Sequence, residues 1–193
     1  MPKVMVLLGS AREGRAADNV LKQLQVELDK HTDITWEVID PVTLNLPFFN
    51  EAASPMAIDN YGAEYKNPNG KAWADKVESF DGYIMVTPEY NHGYPAIIKN
   101  AIDWVGAKRW AGKPVTFVSY GAVSGGIRAV EQLRQVVIEL RSIPLHHAVH
   151  IPHVYAAFNE AGEWNEQNKA HQDAFAPMIE ELKTSLGVTK EIK

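Results

Sequence analysis

Residues 83–104 read as strand, stiff turn and helix in immediate succession, an order that an open α/β sheet accommodates and few other folds do. The apolar run Tyr83-Ile84-Met85-Val86 passes directly into Thr87-Pro88-Glu89-Tyr90-Asn91-His92-Gly93-Tyr94-Pro95. Beyond it, Ile97, Ala101 and Val105, joined by Ile98 and Ile102, repeat at helical spacing and make one wide apolar stripe that has to lie on a sheet. Pro95 suits a first helical position. The turn sits at the carboxyl end of its strand, which is where open α/β sheets bind ligands.

The same order recurs along the chain. Lys3 to Leu8 is a continuous apolar run closing on Gly9-Ser10, as a strand buried on both faces requires, and Val20, Leu21, Leu24 and Leu28 then mark a helix. Further strands are predicted at Ile34–Ile39, Val115–Ser119 and Pro144–Ile151. Helices are predicted over Gly70–Ser79, from Ile127 to Leu140 and from Lys169 to Leu186. Five strands alternating with helices predict a single α/β domain over residues 1–193, a flavodoxin-like three-layer sandwich with a five-stranded parallel sheet in the order 2-1-3-4-5. Periodicity lapses from Val42 to about Pro68, which reads as a long structureless connection. Leu44, Leu46, Phe48 and Phe49 within it are too apolar for water and are expected to pack on this subunit or on a partner.

Composition removes several classes of function. The 193 residues contain no cysteine, so disulfides, thiolate nucleophiles and cysteine-ligated metals are absent. A net charge of −5 gives no broad attraction to nucleic acid or to an anionic membrane, and any anion has to be bound locally. No apolar run approaches the roughly 20 residues of a membrane span. The start runs straight into a strand without a secretory signal, so a cytoplasmic protein is expected.

Three strand ends carry unusual turns, at Gly9–Asp18, Thr87–Pro95 and Ser119–Gly126, and in the 2-1-3-4-5 order they line one crevice. The first looks like an anion site: a Gly-Ser turn feeds a helix amino terminus, with Ser10, Arg12 and Arg15 as further donors. It lacks the Gly-Lys-Ser/Thr of a Walker A loop and the glycine pattern of a Rossmann fingerprint. The second offers backbone amides, the Asn91 amide group and tyrosine rings to a planar heterocycle, with the Glu89 side chain read as structural and its backbone as ligand-facing. In the third, Gly121, Gly125 and Gly126 permit close approach of the backbone. His146, His147, His150 and His153 alternate faces on an ideal strand and are read as edge-strand residues rather than a metal site. Ser10 and Ser124 lack a nucleophile-elbow sequence.

Gly9-Ser10-Ala11-Arg12-Glu13-Gly14-Arg15, the 87–95 turn running into Lys99-Asn100-Ala101-Ile102-Asp103-Trp104, and Gly112-Lys113-Pro114 followed by Val118-Ser119-Tyr120-Gly121 resemble the NADPH-dependent FMN reductase family of flavodoxin-like proteins. The resemblance implies an enzyme that binds FMN non-covalently and passes electrons by ping-pong from NADPH or NADH to quinones, azo compounds, flavins or metal ions. It implies an FMN phosphate on Ser10, Arg12, Arg15 and the Ala16 and Ala17 amides. The isoalloxazine would lie against Pro88, Glu89, Tyr90 and Asn91, with Ser119, Tyr120 and Gly121 on its other edge. Arg15 and Ala17 replace the serine and asparagine of many members, implying ionic rather than hydroxyl contacts there. Hydride chemistry belongs to FMN N5, so no side chain is assigned as acid or base and no metal is expected. The alternative is a flavodoxin-type electron carrier or redox-sensing FMN module without nicotinamide turnover. A non-flavin anion-binding protein on the same fold is a third reading. The apolar Leu44–Phe49 stretch beside the flavin face predicts a homodimer, with a homotetramer as the alternative.

Overall fold

The computed structural model describes residues 1–191. Among them, β1 (Lys3–Leu8), β2 (Thr35–Ile39), β3 (Gly82–Pro88), β4 (Pro114–Tyr120) and β5 (Ile143–Pro144) form one parallel sheet in the order β2-β1-β3-β4-β5, and β6 (Val149–Ile151) also pairs with β4. The order is the one the alternation of apolar runs predicts, because β1, β3 and β4 are buried on both faces. Val4, Val6 and Leu8 of β1 enter one core with Ile84, Val86, Val118 and Tyr120, while Met5 and Leu7 enter the other with Tyr83, Met85 and Phe117. Helices α1 (Ala17–Leu28) and α9 (Phe175–Glu191) cover the first core. The second lies under α3 (Pro68–Glu78), α4 (Ala96–Asp103) and α6 (Ile127–Glu139). No helix among the described residues is long and apolar enough to cross a membrane.

Local chemistry sets the element ends. Asn67 caps α3 by accepting from the Asn69 and Gly70 amides, with Pro68 in the first turn. Pro95 is the N-cap of α4 rather than its first helical residue. The expected fifth strand is split. Between β5 and β6 the Glu181 carboxylate accepts from the His146 and His147 amides (3.1 and 2.7 Å), Arg134 donates to the Leu145 and His146 carbonyls, and the Thr116 hydroxyl donates to the His147 carbonyl (2.7 Å). Side chains thus replace the sheet ladder over these residues. The single final helix is also interrupted: a turn at Glu166–Asn168 and α8 (Ala170–Asp173) precede α9, because Pro177 has no amide and fits only the first turn of a helix.

The 42–68 segment has more structure than its sequence suggests. Asp40 caps a short turn at Pro41–Leu44, and Ser54 caps α2 (Pro55–Tyr61). Asn100 and Trp104 of the Lys99–Trp104 motif pin it to this subunit. The Asn100 side chain accepts from the Phe49 amide (3.1 Å) and donates to the Pro47 carbonyl (3.0 Å), which also takes the Trp104 indole N–H (2.9 Å). Leu44, Leu46 and Phe49 pack against the second core, whereas Phe48 is 77% exposed. α5 (Ala107–Trp110) completes this side, its Arg109 paired with Asp59 of α2 at 2.8 Å.

Candidate functional site

β1, β3 and β4 end side by side, and the turns that follow them meet at a cleft of about 200 Å³. The first turn supplies Ser10, Arg12, Arg15 and Ala16 to its wall. Gly9 carries the sheet ladder one residue further, donating to the Val86 carbonyl at 2.7 Å. A Cβ there would stand 2.8 Å from that same oxygen, which is why the turn needs glycine. α1 begins at Ala17, and its N-cap Ala16 has no side chain to accept from the first amides. The Asp18 amide donates to the Arg15 carbonyl at 3.4 Å, while the Ala16 and Ala17 amides have no backbone acceptor among the described residues and, with the positive end of the helix dipole, could meet an anion. Ala17 itself is buried in the first core, so only its backbone is available to the cleft.

The two arginines of this turn differ in what they have free. Arg15 donates to the Asp18 carboxylate (3.0 Å), the Ser10 carbonyl (2.7 Å) and the Asp40 carboxylate (2.6 Å). The Asp40 bond pushes the Arg15 pKa up. Burial works to raise Asp40, but Arg15 and the Val42 amide outweigh it and hold its carboxyl below the usual range. Arg15 is therefore a brace that fixes the turn against the end of β2. Arg12 is exposed, and its guanidinium donates to the Tyr155 phenol at 3.1 Å with the Tyr90 phenol also near it.

The second turn is a two-residue hairpin. Tyr90 and Gly93 exchange bonds of 2.8 and 3.0 Å, while Asn91 (φ 51) and His92 (φ 66) both occupy the left-handed region, as a type I′ turn requires. Pro88, Glu89 and Tyr90 face the cleft, and the Tyr90 phenol shares a 2.8 Å bond with the Ser10 hydroxyl. Asn91 is exposed at the hairpin tip, off the cleft wall. The Glu89 amide goes to the Tyr120 carbonyl (3.1 Å) and the Tyr90 amide to Gly93, so these two are used within the protein. The Asn91 and His92 amides at the tip meet no backbone acceptor among the described residues.

The Glu89 side chain, 7% exposed, ties the second turn to the third. Its carboxylate accepts from the Ser124 hydroxyl (3.1 Å), the Arg128 amide (3.2 Å) and the Arg128 guanidinium (2.7 Å). Burial raises its pKa, and Arg128 together with Ser124 outweighs burial to hold it below the ordinary glutamate value. Because Arg128 is the second residue of α6, Glu89 caps that helix from another strand.

In the third turn Gly121 lines the cleft, and Gly125 (φ +62) and Gly126 (φ +85) turn the chain into α6. Ser119 is fully buried beneath it and does not reach the cleft. Its hydroxyl donates to the Gly125 carbonyl (2.7 Å) and so accepts from His150 Nδ1 (2.7 Å). Burial and the Arg134 charge lower the His150 pKa, which keeps that ring neutral. Tyr120 crosses to the first core, where its phenol faces Ser10, Tyr90 and Arg15. Its hydroxyl is buried and makes no hydrogen bond of good geometry among the described residues, Ser10 being its near neighbour. Among the four histidines, His147 pairs with Glu181 at 3.0 Å and His153 is the N-cap of the short α7 (Val154–Ala157).

Ser10, Arg12, Ala16, Pro88, Tyr90, Tyr120 and Gly121 thus line the cleft together, with a buried phenol and an uncapped helix end among them, a donor set that suits a phosphate joined to a flat ring. Two contributors escaped the sequence. Tyr155 follows β6 in a stretch without periodicity, and Arg128 had only its four-residue spacing from Ser124 as a signal.

The family model described as NADPH-dependent FMN reductase matches residues 2–162. An NAD(P)H-dependent FMN reductase of Schizosaccharomyces pombe is 36% identical over 154 residues, covering 78% of this chain and 74% of that protein. A quinone reductase of Escherichia coli K12 is 31% identical over 153 residues, covering 75% and 73%. The solved flavoenzyme NAD(P)H:(acceptor) oxidoreductase of Paracoccus denitrificans shares the fold, with a TM-score of 0.72 at 23% identity over 96% of this chain and 99% of that one. The chain belongs to the NADPH-dependent FMN reductase family, and is an enzyme that works with FMN and a reduced nicotinamide.

Proposed function

We propose that the enzyme is an NAD(P)H:quinone oxidoreductase holding FMN across the cleft, the phosphate at the α1 N-terminus and the isoalloxazine on the 88–93 hairpin. The observation that carries this reading is the uncapped α1 N-terminus facing the same cleft as Pro88, Tyr90 and Gly121. A cleft of about 200 Å³ is smaller than the roughly 300 to 1,000 Å³ of typical ligand pockets, so it suits the phosphate and the sugar chain, with the ring system lying outward on the hairpin. The chemistry supplied by bound FMN is uptake of hydride from NAD(P)H and its return to an acceptor. The protein's own residues bind and orient. Ser10, Arg12 and the Ala16 and Ala17 amides hold the phosphate, and Arg15 acts through the turn it braces. The Asn91 and His92 amides offer donors at the hairpin tip, and Glu89 and Ser119 keep Gly121 in register from below. No side chain needs to act as acid or base.

Quinones are the proposed acceptors because a relative sharing three quarters of the chain carries that name. Azo compounds, free flavins and oxidised metal ions are further candidates that an open hairpin face would admit. The described residues are proposed to act as one unit in the cytoplasm. A two-fold dimer is proposed through the exposed Phe48 and the hollow of about 730 Å³ between Phe48, Phe49, Pro55 and Tyr94, where apolar surface lies open. Steady-state oxidation of NADPH and NADH with 1,4-benzoquinone tests the activity. Two-electron turnover by yellow, FMN-containing protein is expected. Yellow protein that leaves both nicotinamides unoxidised would instead be an electron carrier.

A further inference from the structure

Resting on that FMN reading, we propose that Tyr120 and Tyr155 are phosphate-recognition residues, adding two neutral phenol donors to Arg12, Ser10 and the helix amides. The net positive charge around the α1 N-terminus is small. Arg15 spends its donors on Asp18, Asp40 and the Ser10 carbonyl, and with two carboxylates around it that group is not net positive. Arg12 is the cleft-lining cation that remains, and it is exposed to solvent, where a charge is screened.

Tyr120 is 4% exposed, and its hydroxyl lies against Ser10, close to Tyr90 and Arg15, without a hydrogen bond of good geometry to any of them. A buried hydroxyl left unpaired costs stability unless a ligand accepts from it. Burial pushes its pKa up, so it stays protonated and keeps a hydrogen to give. Tyr155 stands at the opposite wall, on α7. Its oxygen accepts from Arg12 at 3.1 Å, which leaves the phenol hydrogen for a second bond and holds the Arg12 guanidinium at the cleft mouth. Two phenols and one arginine thus converge on the helix end, from β4, α7 and the first turn respectively.

Titration of ligand-free protein with FMN and with riboflavin, which lacks the phosphate, tests this. Tyr120→Phe is expected to weaken FMN about tenfold and leave riboflavin unchanged. It is also expected to leave the Tm of the ligand-free protein the same or higher, because an unpaired hydroxyl is removed. Tyr155→Phe, at an exposed position, is expected to weaken FMN about threefold, and by less than that in an Arg12→Ala background, where the phenol no longer has Arg12 to hold. Equal losses for FMN and riboflavin, an unchanged FMN affinity in both variants, or a lower Tm for ligand-free Tyr120→Phe would each overturn the proposal. Wild-type protein that takes up neither flavin would overturn the FMN reading beneath it, an outcome distinct from any change in the variants.

Discussion

The cleft is flanked by two helix amino termini of the same kind, and the protein treats them in opposite ways. α1 and α6 both follow a buried central strand and a glycine-containing turn, and neither is capped by its own N-cap side chain. At α6 the end is closed by Glu89, which reaches across from the β3 turn to take the Arg128 amide and its guanidinium. At α1 no such carboxylate arrives among the described residues. The nearby Asp18 and Asp40 are turned instead onto Arg15. One helix dipole is satisfied internally and builds the site, and the other is left to bind. The Glu89 side chain is a strut rather than an acid, the structural role its sequence context already suggested.

The comparison breaks most sharply at Glu89. Glu89→Ala removes a nearly buried carboxylate and strands the α6 amide and Arg128, so a loss of about 3 kcal/mol in unfolding free energy is expected, the partly exposed Arg128 keeping it at the low end for a broken ion pair. That corresponds to a fall in Tm of about 6 to 12 °C. The pH dependence has a definite sign. The folded Glu89 pKa lies below the ordinary 4.5, so its contribution is present above that value and lost as pH falls through the folded pKa. The Tm gap between wild type and Glu89→Ala is expected to stay constant from pH 8 to about pH 5.5 and to narrow below about pH 4.5. A gap that widens in acid would remove the ion pair as its cause.

The open end is next. Arg12→Ala is expected to weaken FMN by about 2 kcal/mol, roughly thirtyfold, with the Tm of ligand-free protein unchanged because Arg12 is exposed. An unchanged dissociation constant, measured by fluorescence quenching on titration, would take Arg12 out of the site. Asp40→Asn sharpens the contrast with the smallest effect. It removes one of the two carboxylates on Arg15, so stability is expected to fall by about 1 kcal/mol while FMN binding holds or tightens as the guanidinium is released. Weaker FMN binding in that variant would mean that the brace matters more than the charge.

The sheet order was readable because β1, β3 and β4 are buried on both faces and their apolar runs are unbroken. The ends of the fold were less so. Nothing local in residues 145–148 announces that Glu181, more than 30 positions away, will take two amides from the sheet. The Lys99–Trp104 motif stood out in sequence, but its purpose, holding Pro47 and Phe49, rests on contacts more than 50 positions distant. Within the site, Ser10, Arg12 and the glycines were legible as turn chemistry. Ser119 was not, since a strand residue's alternation leaves open which face meets the ligand, and here its hydroxyl is spent on Gly125 and His150. Tyr155, a lone aromatic after the last strand, gave no pattern to read.

The assignment of the α1 end to phosphate is tested most directly by comparing FMN with riboflavin on the wild-type, ligand-free protein at moderate ionic strength. The two ligands share one ring system and differ in the group that this helix end would hold. FMN is expected to bind at least about 100-fold more tightly, since its phosphate meets an arginine, a serine and free helix amides in charge-assisted bonds. Equal affinities would mean that the open helix end does not take the phosphate.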